Sequence, residues 1–328
     1  MRIAVTGSIA KDHLMSFPHR FADRLIAERL DRISLSLLTD DLEIRYGGVA
    51  ANIAFGLGSL GLAPLLVGAA GADFADQEVW LKEHGVDTAG VRISDTLHTA
   101  RFVCATDTEQ NQIGFFYAGA MAEARDIGLP GLLDRTGGAD LVVVSPDDPD
   151  AMVRHARECA RLGVPFVADP SQQLARLERD QARALLDSPC HLFTNEYEAL
   201  LIQERTGWTE QQVLGRVGSW ITTQGAGGSR IARVGRTTTH VPAVPARAEV
   251  VDPTGAGDAY RAGFLAALAW DLDLAEAARL GSAVASVVLE SRGTQTYALR
   301  GDDLLDRLGT AYGAGAVRRI IPRLGALS

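Results

Sequence analysis

Short apolar runs recur along this chain, each followed by a longer amphipathic stretch, and that alternation limits the architecture more than any other feature. RIAVTGS (2–8), PLLVGAAG (64–71), LVVVSP (141–146), PFVADP (165–170), HLFTN (191–195) and SWITTQG (219–225) read as buried strands. Several end in Gly, Pro, Asp or Asn, where a strand enters a loop. Residues 49–60, 74–84, 148–162, 196–206, 209–217, 257–270 and 273–290 carry helical patterns, and 302–322 reads as a closing helix. Strands separated by helices pair in parallel, because each crossover returns the chain to the same end of the sheet. The expected fold is α/β, a mostly parallel sheet with helices on both faces. Ligands are then expected beyond the carboxyl ends of the strands.

Residues 33–46 and 99–119 break the alternation. ARFVCATD and QIGFFYAG flank the polar turn TEQN, a hairpin pattern without a crossover helix. These pieces read as a small β lid, built from about 10–46 and 98–119, inserted into one α/β domain spanning 1–328.

Composition narrows the function. A formal charge of −9 argues against a nucleic-acid surface, although a small anionic ligand responds to local charge instead. Cys104, Cys159 and Cys190 are odd in number and widely spaced, which suits buried thiols in a reducing compartment. The N-terminus lacks a signal-peptide pattern, and no apolar stretch reaches the roughly 18 residues of a membrane helix. A cytoplasmic protein with no membrane partner is expected.

The chemistry concentrates in DPTGAGDAYRAGF (252–264). A helix N-terminus offers unpaired N–H groups and partial positive charge. The small residues Gly255, Ala256 and Gly257 let phosphate oxygens approach that backbone. Asp258, just beyond them, is placed to take the proton of an attacking hydroxyl. An acidic first turn that only caps the helix fits the same residues. Neither Lys11 nor Lys82 follows a glycine-rich loop, so a G-x-x-x-x-G-K-[ST] phosphate loop is absent. The first strand lacks G-x-G-x-x-G, no G-x-S-x-G occurs, and the seven histidines show no metal spacing.

Four motifs together resemble the ribokinase-like (PfkB) carbohydrate and nucleoside kinases. GGVAANIAFGLGSLG (47–61) is similar to their N-terminal signature, and DPTGAGDAYRAGF to their C-terminal one. NEYE, with Asn195 and Glu198, matches their N-x-x-E element. TTQGAGG, with Thr223, Gly225 and Gly228, matches their nucleotide loop. The resemblance spans essentially the whole chain and implies an ATP-dependent kinase of ribokinase-like fold. It implies Asp258 as general base and the N–H groups of Gly255, Ala256 and Gly257 as anion hole. Asn195 and Glu198 would place Mg²⁺ through water, and Thr223, Gly225 and Gly228 would approach the ATP phosphates. Many members hold a monovalent cation such as K⁺ near the base. Asp252 stands where such a ligand or a turn-capping carboxylate would each fit.

The same resemblance assigns the acceptor side. Ser8, Asp12, Ser36, Gly47, Gly48 and Asn52 match positions that hold substrate hydroxyls, with Asp12 accepting from a diol. A purine would need flat apolar surfaces as well. Phe102, Phe115, Phe116 and Tyr117 gather on the expected hairpin; base stacking, strand packing and a lid-to-lid homodimer contact all fit them. Gln172 and Gln173 offer amides to a base edge. The tandem glutamines, VTGSIAKDHLMSFP and FFYAGAMAEAR look like the actinobacterial adenosine kinases, with Phe102 and Phe116 as base contacts. An adenosine kinase is the expectation. A ribokinase or other sugar kinase is the alternative, and a non-catalytic nucleoside-binding regulator the third reading.

Overall fold

The computed structural model describes residues 1–24, 32 and 34–327. Part of the expected lid segment, residues 25–31 and 33, lies outside the described residues. Among the described residues thirteen strands occur: β1 (Ile3–Thr6), β2 (Ala10–Ser16), β3 (Asp41–Gly47), β4 (Leu65–Gly71), β5 (Asp87–Ser94), β6 (Ala100–Thr106), β7 (Gln112–Tyr117), β8 (Leu141–Val144), β9 (Phe166–Ala168), β10 (His191–Asn195), β11 (Trp220–Thr223), β12 (Ser229–Ala232) and β13 (Thr239–Val241). The helices that matter here are α1 (Val49–Ser59), α2 (Ala75–Glu83), α3 (Leu129–Thr136), α4 (Pro149–Leu162), α5 (Arg179–Leu185), α6 (Glu196–Thr206), α7 (Glu210–Leu214), α8 (Ala256–Ala269), α9 (Leu274–Val288) and α10 (Gly301–Tyr312).

Nine strands form one sheet in the order β13-β12-β11-β10-β9-β8-β1-β4-β5. It is parallel except at β12, which runs antiparallel to both neighbours. Every residue of β1, β4, β8 and β9 is buried, as expected of strands covered on both faces. Two apolar clusters lie on the two faces: one joins α1, α8 and α9 to the sheet, the other α3, α4 and α5. Chain order reverses between β1 and β8, and such a switch point opens a crevice at the strands' carboxyl ends.

The four-stranded lid has the order β3-β2-β6-β7. Strand β2 starts four residues after β1 ends, so the lid grows directly out of that crevice. The expected mixed α/β fold with a second small sheet is therefore borne out. The expected strand over 33–46 occupies only Asp41–Gly47, residues 34–39 being irregular. The closing helix runs from Gly301 to Tyr312 and stops where Gly313 takes φ +82°. Among the described residues no helix is long and apolar enough to cross a membrane.

Candidate active site

A cleft of about 480 Å³ opens between lid and sheet at the switch point. Its floor comes from loops after β1 and β8 and from the N-termini of α1 and α8. Ser8 and Pro146 follow the two strands, and the Ser8 N–H donates to the Pro146 carbonyl at 2.8 Å. The Ser8 hydroxyl accepts from Val49 N–H at 3.0 Å, so it caps α1 and keeps its own proton to donate. Gly48, at φ +95°, lets that helix start against the Ser8 loop: a Cβ there would lie 2.5 Å from the Ser8 backbone carbonyl oxygen.

Asp12 projects from β2 over Gly47, where an added Cβ would meet its carboxylate at 2.7 Å. Burial pushes the Asp12 carboxyl up to about 6; Arg45 pulls it down, while Asp252 and Asp258 push it up. Asn52, in the first turn of α1, donates through Nδ2 to Asp258 Oδ2 at 2.8 Å. Burial raises the Asp258 carboxyl as well, against the opposing pull of Arg261 and the Asn52 N–H, with Glu198 adding to the rise. Arg261, one turn further along α8, is buried and forms a two-point ion pair with the fully buried Asp169, at 2.6 Å for both contacts. The paired carboxylate keeps the guanidinium charged beside Asp258.

Gly255 takes φ +81° at the N-cap of α8, and a Cβ there would strike the Thr294 methyl at 2.6 Å. Only glycine permits both the turn and that approach. Of the three expected anion-hole N–H groups, that of Ala256 closes a turn onto the Pro253 carbonyl at 3.2 Å. On the other side of this helix end lies a second cavity of about 610 Å³. Thr223, Gly225 and Gly228 line it, with Ala256, Gly257 and Tyr260 from α8. Two cavities thus meet at one helix N-terminus.

Ser8, Asp12, Gly48, Asn52, Phe102, Phe116, Gln172, Gln173, Gly255 and Asp258 all line the first cleft. Gly47 lies beneath Asp12. Ser36 departs from expectation: it is exposed on the irregular segment before β3, outside the cleft lining. Strand pleat divides the lid aromatics. Phe102 and Phe116 are directly paired and line the cleft, whereas Phe115 and Tyr117, one residue away, belong to the opposite face.

Asn195 and Glu198 form a reciprocal cap of α6: Asn195 N–H donates to Glu198 Oε2 at 2.7 Å and Glu198 N–H to Asn195 Oδ1 at 2.8 Å. Glu198 Oε1 faces, among the described residues, only the Ser171 hydroxyl at 3.4 Å, whose single proton has a nearer acceptor in Gln172 Oε1 at 2.7 Å, so one hard oxygen donor remains for a water-bridged Mg²⁺. Among the described residues no group of three or more His, Cys, Asp or Glu forms a ligand cluster. The Asp252 carboxylate is already engaged by hydrogen-bond donors. One oxygen accepts from Thr254 N–H at 2.9 Å; the other faces the Arg45 guanidinium at 3.0 Å and Gly293 N–H at 3.4 Å. Arg45, brought in by the lid, already supplies positive charge there.

A pfkB family carbohydrate kinase model matches residues 22–300. The chain belongs to this family. With it the chain is an ATP-dependent phosphotransferase, and the resemblance seen in its four motifs is borne out. A nucleoside kinase of Methanocaldococcus jannaschii is 31% identical over 310 residues, covering 94% of this chain and 96% of that protein. The structure of a Burkholderia thailandensis nucleoside kinase in complex with inosine is 33% identical, with a TM-score of 0.82 over 95% of this chain and 98% of that one. A Thermotoga maritima ribokinase, at 19% identity and a TM-score of 0.76, shares the fold.

Proposed function

We propose that the protein is a nucleoside kinase acting on adenosine, transferring the γ-phosphoryl of ATP to the 5′-hydroxyl to give AMP and ADP. The arrangement of the first cleft carries this reading: a polar floor of Asp12, Asn52 and Asp258 lies below the paired rings of Phe102 and Phe116. A ribose suits the floor, and a base suits the phenyl faces. The glutamines add an edge. Gln172 Oε1 accepts from the Ser171 hydroxyl at 2.7 Å, leaving its amide nitrogen as donor. Gln173 Nε2 donates to the Asp147 carbonyl at 2.5 Å, leaving its oxygen as acceptor. One donor and one acceptor complement adenine's N1 and N6 amine. Hypoxanthine offers the same two roles in exchanged positions, and the Burkholderia relative was crystallised with inosine, so inosine is the second reading. A free sugar would leave the phenyl pair without a partner.

In the transfer, Asp258 accepts the proton of the 5′-hydroxyl as the O5′–P bond forms and the bond from the γ-phosphorus to the bridging β–γ oxygen breaks. N–H groups at the α8 N-terminus stabilise charge on the moving group. Mg²⁺, when held through Glu198, supplies neutralisation of phosphate charge. The lid keeps water from competing for the phosphoryl group. A second copy of the chain is the proposed partner of the lid. Its face away from the cleft carries Leu42, Ile44 and Phe115, which are 53%, 55% and 68% exposed and share the opposite-face rows of the register. Light scattering tests that pairing; a monomer at micromolar concentration overturns it.

ADP release with Mg-ATP and adenosine, inosine, guanosine, ribose or fructose tests the function. Turnover confined to adenosine supports the reading, and turnover confined to inosine favours the second one. Turnover with ribose or fructose but not nucleosides removes the base role of the lid. Ligand-induced stabilisation without ADP from any acceptor leaves a binding protein.

A further inference from the structure

We propose that Thr294 and Gln295 are positioning residues for phosphoryl transfer: they fix the Asn52 carboxamide so that its nitrogen, and not its oxygen, meets the Asp258 carboxylate. The proposal rests on Asp258 being the base. A carboxamide is nearly symmetric in shape, and its terminal torsion is roughly two-fold. Packing alone therefore leaves both orientations open, and hydrogen-bond partners decide between them.

Asn52 is 5% exposed and has partners on both sides. Its oxygen faces the Thr294 hydroxyl at 2.8 Å and Gln295 Nε2 at 2.9 Å, and its nitrogen faces Asp258 at 2.8 Å. Thr294 has one proton and two acceptors within reach, Asn52 and the Tyr46 carbonyl at 3.0 Å. Gln295 has two amide protons for its two acceptors, Asn52 and the Gly47 carbonyl at 3.5 Å, so its donation to Asn52 is unshared. Gln295 is 1% exposed, and its own oxygen has no partner. Facing two acceptors, it can present only its nitrogen to them. The Gly47 carbonyl thus orients Gln295, which orients Asn52, which donates to the base.

The reverse orientation of Asn52 would set its oxygen against a carboxylate oxygen and favour protonated Asp258. The surroundings make that direct N–H matter. Arg261, on the same helix, favours the charged base. Glu198 from α6, Asp12 from β2 and the buried Asp169 all disfavour it, and the Tyr297 phenol nearby is held neutral by burial.

The test is the pH profile of kcat/KM with Mg-ATP and adenosine, or whichever acceptor turns over. Gln295→Leu removes the unshared donor, and Gln295→Glu replaces the amide nitrogen by a carboxyl that, once ionised, offers Asn52 acceptors only and so turns it. The acid limb is expected to move up by about one to two units, further in Gln295→Glu than in Gln295→Leu. Below the limb that is a roughly 10- to 100-fold loss, recovering to within about threefold at high pH. A loss that is equal at every pH, or an unmoved limb in a folded Gln295→Glu variant of near-identical shape, overturns the proposal. Asp258→Asn separates the two levels. If it retains turnover, the base assignment itself fails; if it loses turnover while both Gln295 variants keep the acid limb, only the positioning role fails.

Discussion

Replacing Asp12 by Asn should stabilise this protein at neutral pH. Among the described residues no hydrogen bond reaches the Asp12 carboxylate, and its folded-state value of about 6 stands about two units above the ordinary 3.8. At about 1.4 kcal/mol per unit, ionised Asp12 costs the folded state on the order of 3 kcal/mol, an upper bound because exposure screens part of it. The sign follows from proton binding. Between about pH 4 and 6 the folded state holds this proton and the unfolded state does not, so stability falls as pH rises through that window. Asp12→Asn removes the loss, and its gain should be complete above about pH 7 and absent below about pH 4. Thermal unfolding at pH 4 and 7.5 reads this directly, with a rise on the order of 5 °C at the higher pH. The same change should weaken nucleoside binding, since an amide offers a diol one acceptor oxygen where a carboxylate offers two. A variant equally or less stable than the parent at pH 7.5 would refute the reasoning.

Three further outcomes follow from the geometry. Phe102→Ala should raise the nucleoside KM about tenfold with little change in the ATP KM, because stacking on one ring is worth roughly 1–3 kcal/mol; equal effects on both constants would argue against a base between the phenyls. Turnover should change by less than about twofold when K⁺ is replaced by a bulky organic cation, since Arg45 and two N–H groups already occupy the Asp252 carboxylate; strong activation by K⁺ would restore the family expectation. Asp169→Asn takes from the buried Arg261 guanidinium its direct ion-pair partner, leaving only the charges of Asp258 and Glu198 nearby, and should cost about 3–5 kcal/mol in denaturant unfolding. A neutral result there would mean that water or another carboxylate reaches Arg261.

What was legible in the sequence follows physical lines. Strands covered on both faces announce themselves as apolar runs, so β1, β4 and β8 to β11 were readable. Strand β5 alternates buried and exposed residues along a polar edge, and β12 and β13 have four and three residues with Arg and His among them. None of these carries the apolar signal. Helices α3 and α5, eight and seven residues long, lie outside the helical patterns of the sequence. In the site, residues within motifs could be found because glycine and aspartate at a helix start have a chemical meaning by themselves. Thr294, Gln295 and Arg45 have none in isolation. Their roles arise from contacts with residues more than 200 positions away, Asn52 and Asp252, which no local pattern encodes. The wall that Ala243, Val244, Pro245, Ala246, Ala248 and Val250 give the second cavity is equally silent, those side chains being small and apolar.

The first turn of α8 divides its residues between two cavities, Gly255 and Asp258 bordering one and Ala256 and Gly257 the other. On the proposed function, acceptor recognition falls to the lid, residues 172–176 and the floor of the first cleft, and donor recognition to residues lining the second cavity between 223 and 250; among the described residues the two linings interleave at this turn. Such a layout makes the protein modular. A change of acceptor can accumulate in the lid without disturbing the phosphate donor, whereas any change in the shared turn alters both at once. An engineer seeking a new nucleoside should therefore randomise positions such as Phe102, Phe116 and Gln172 and leave 255–258 untouched.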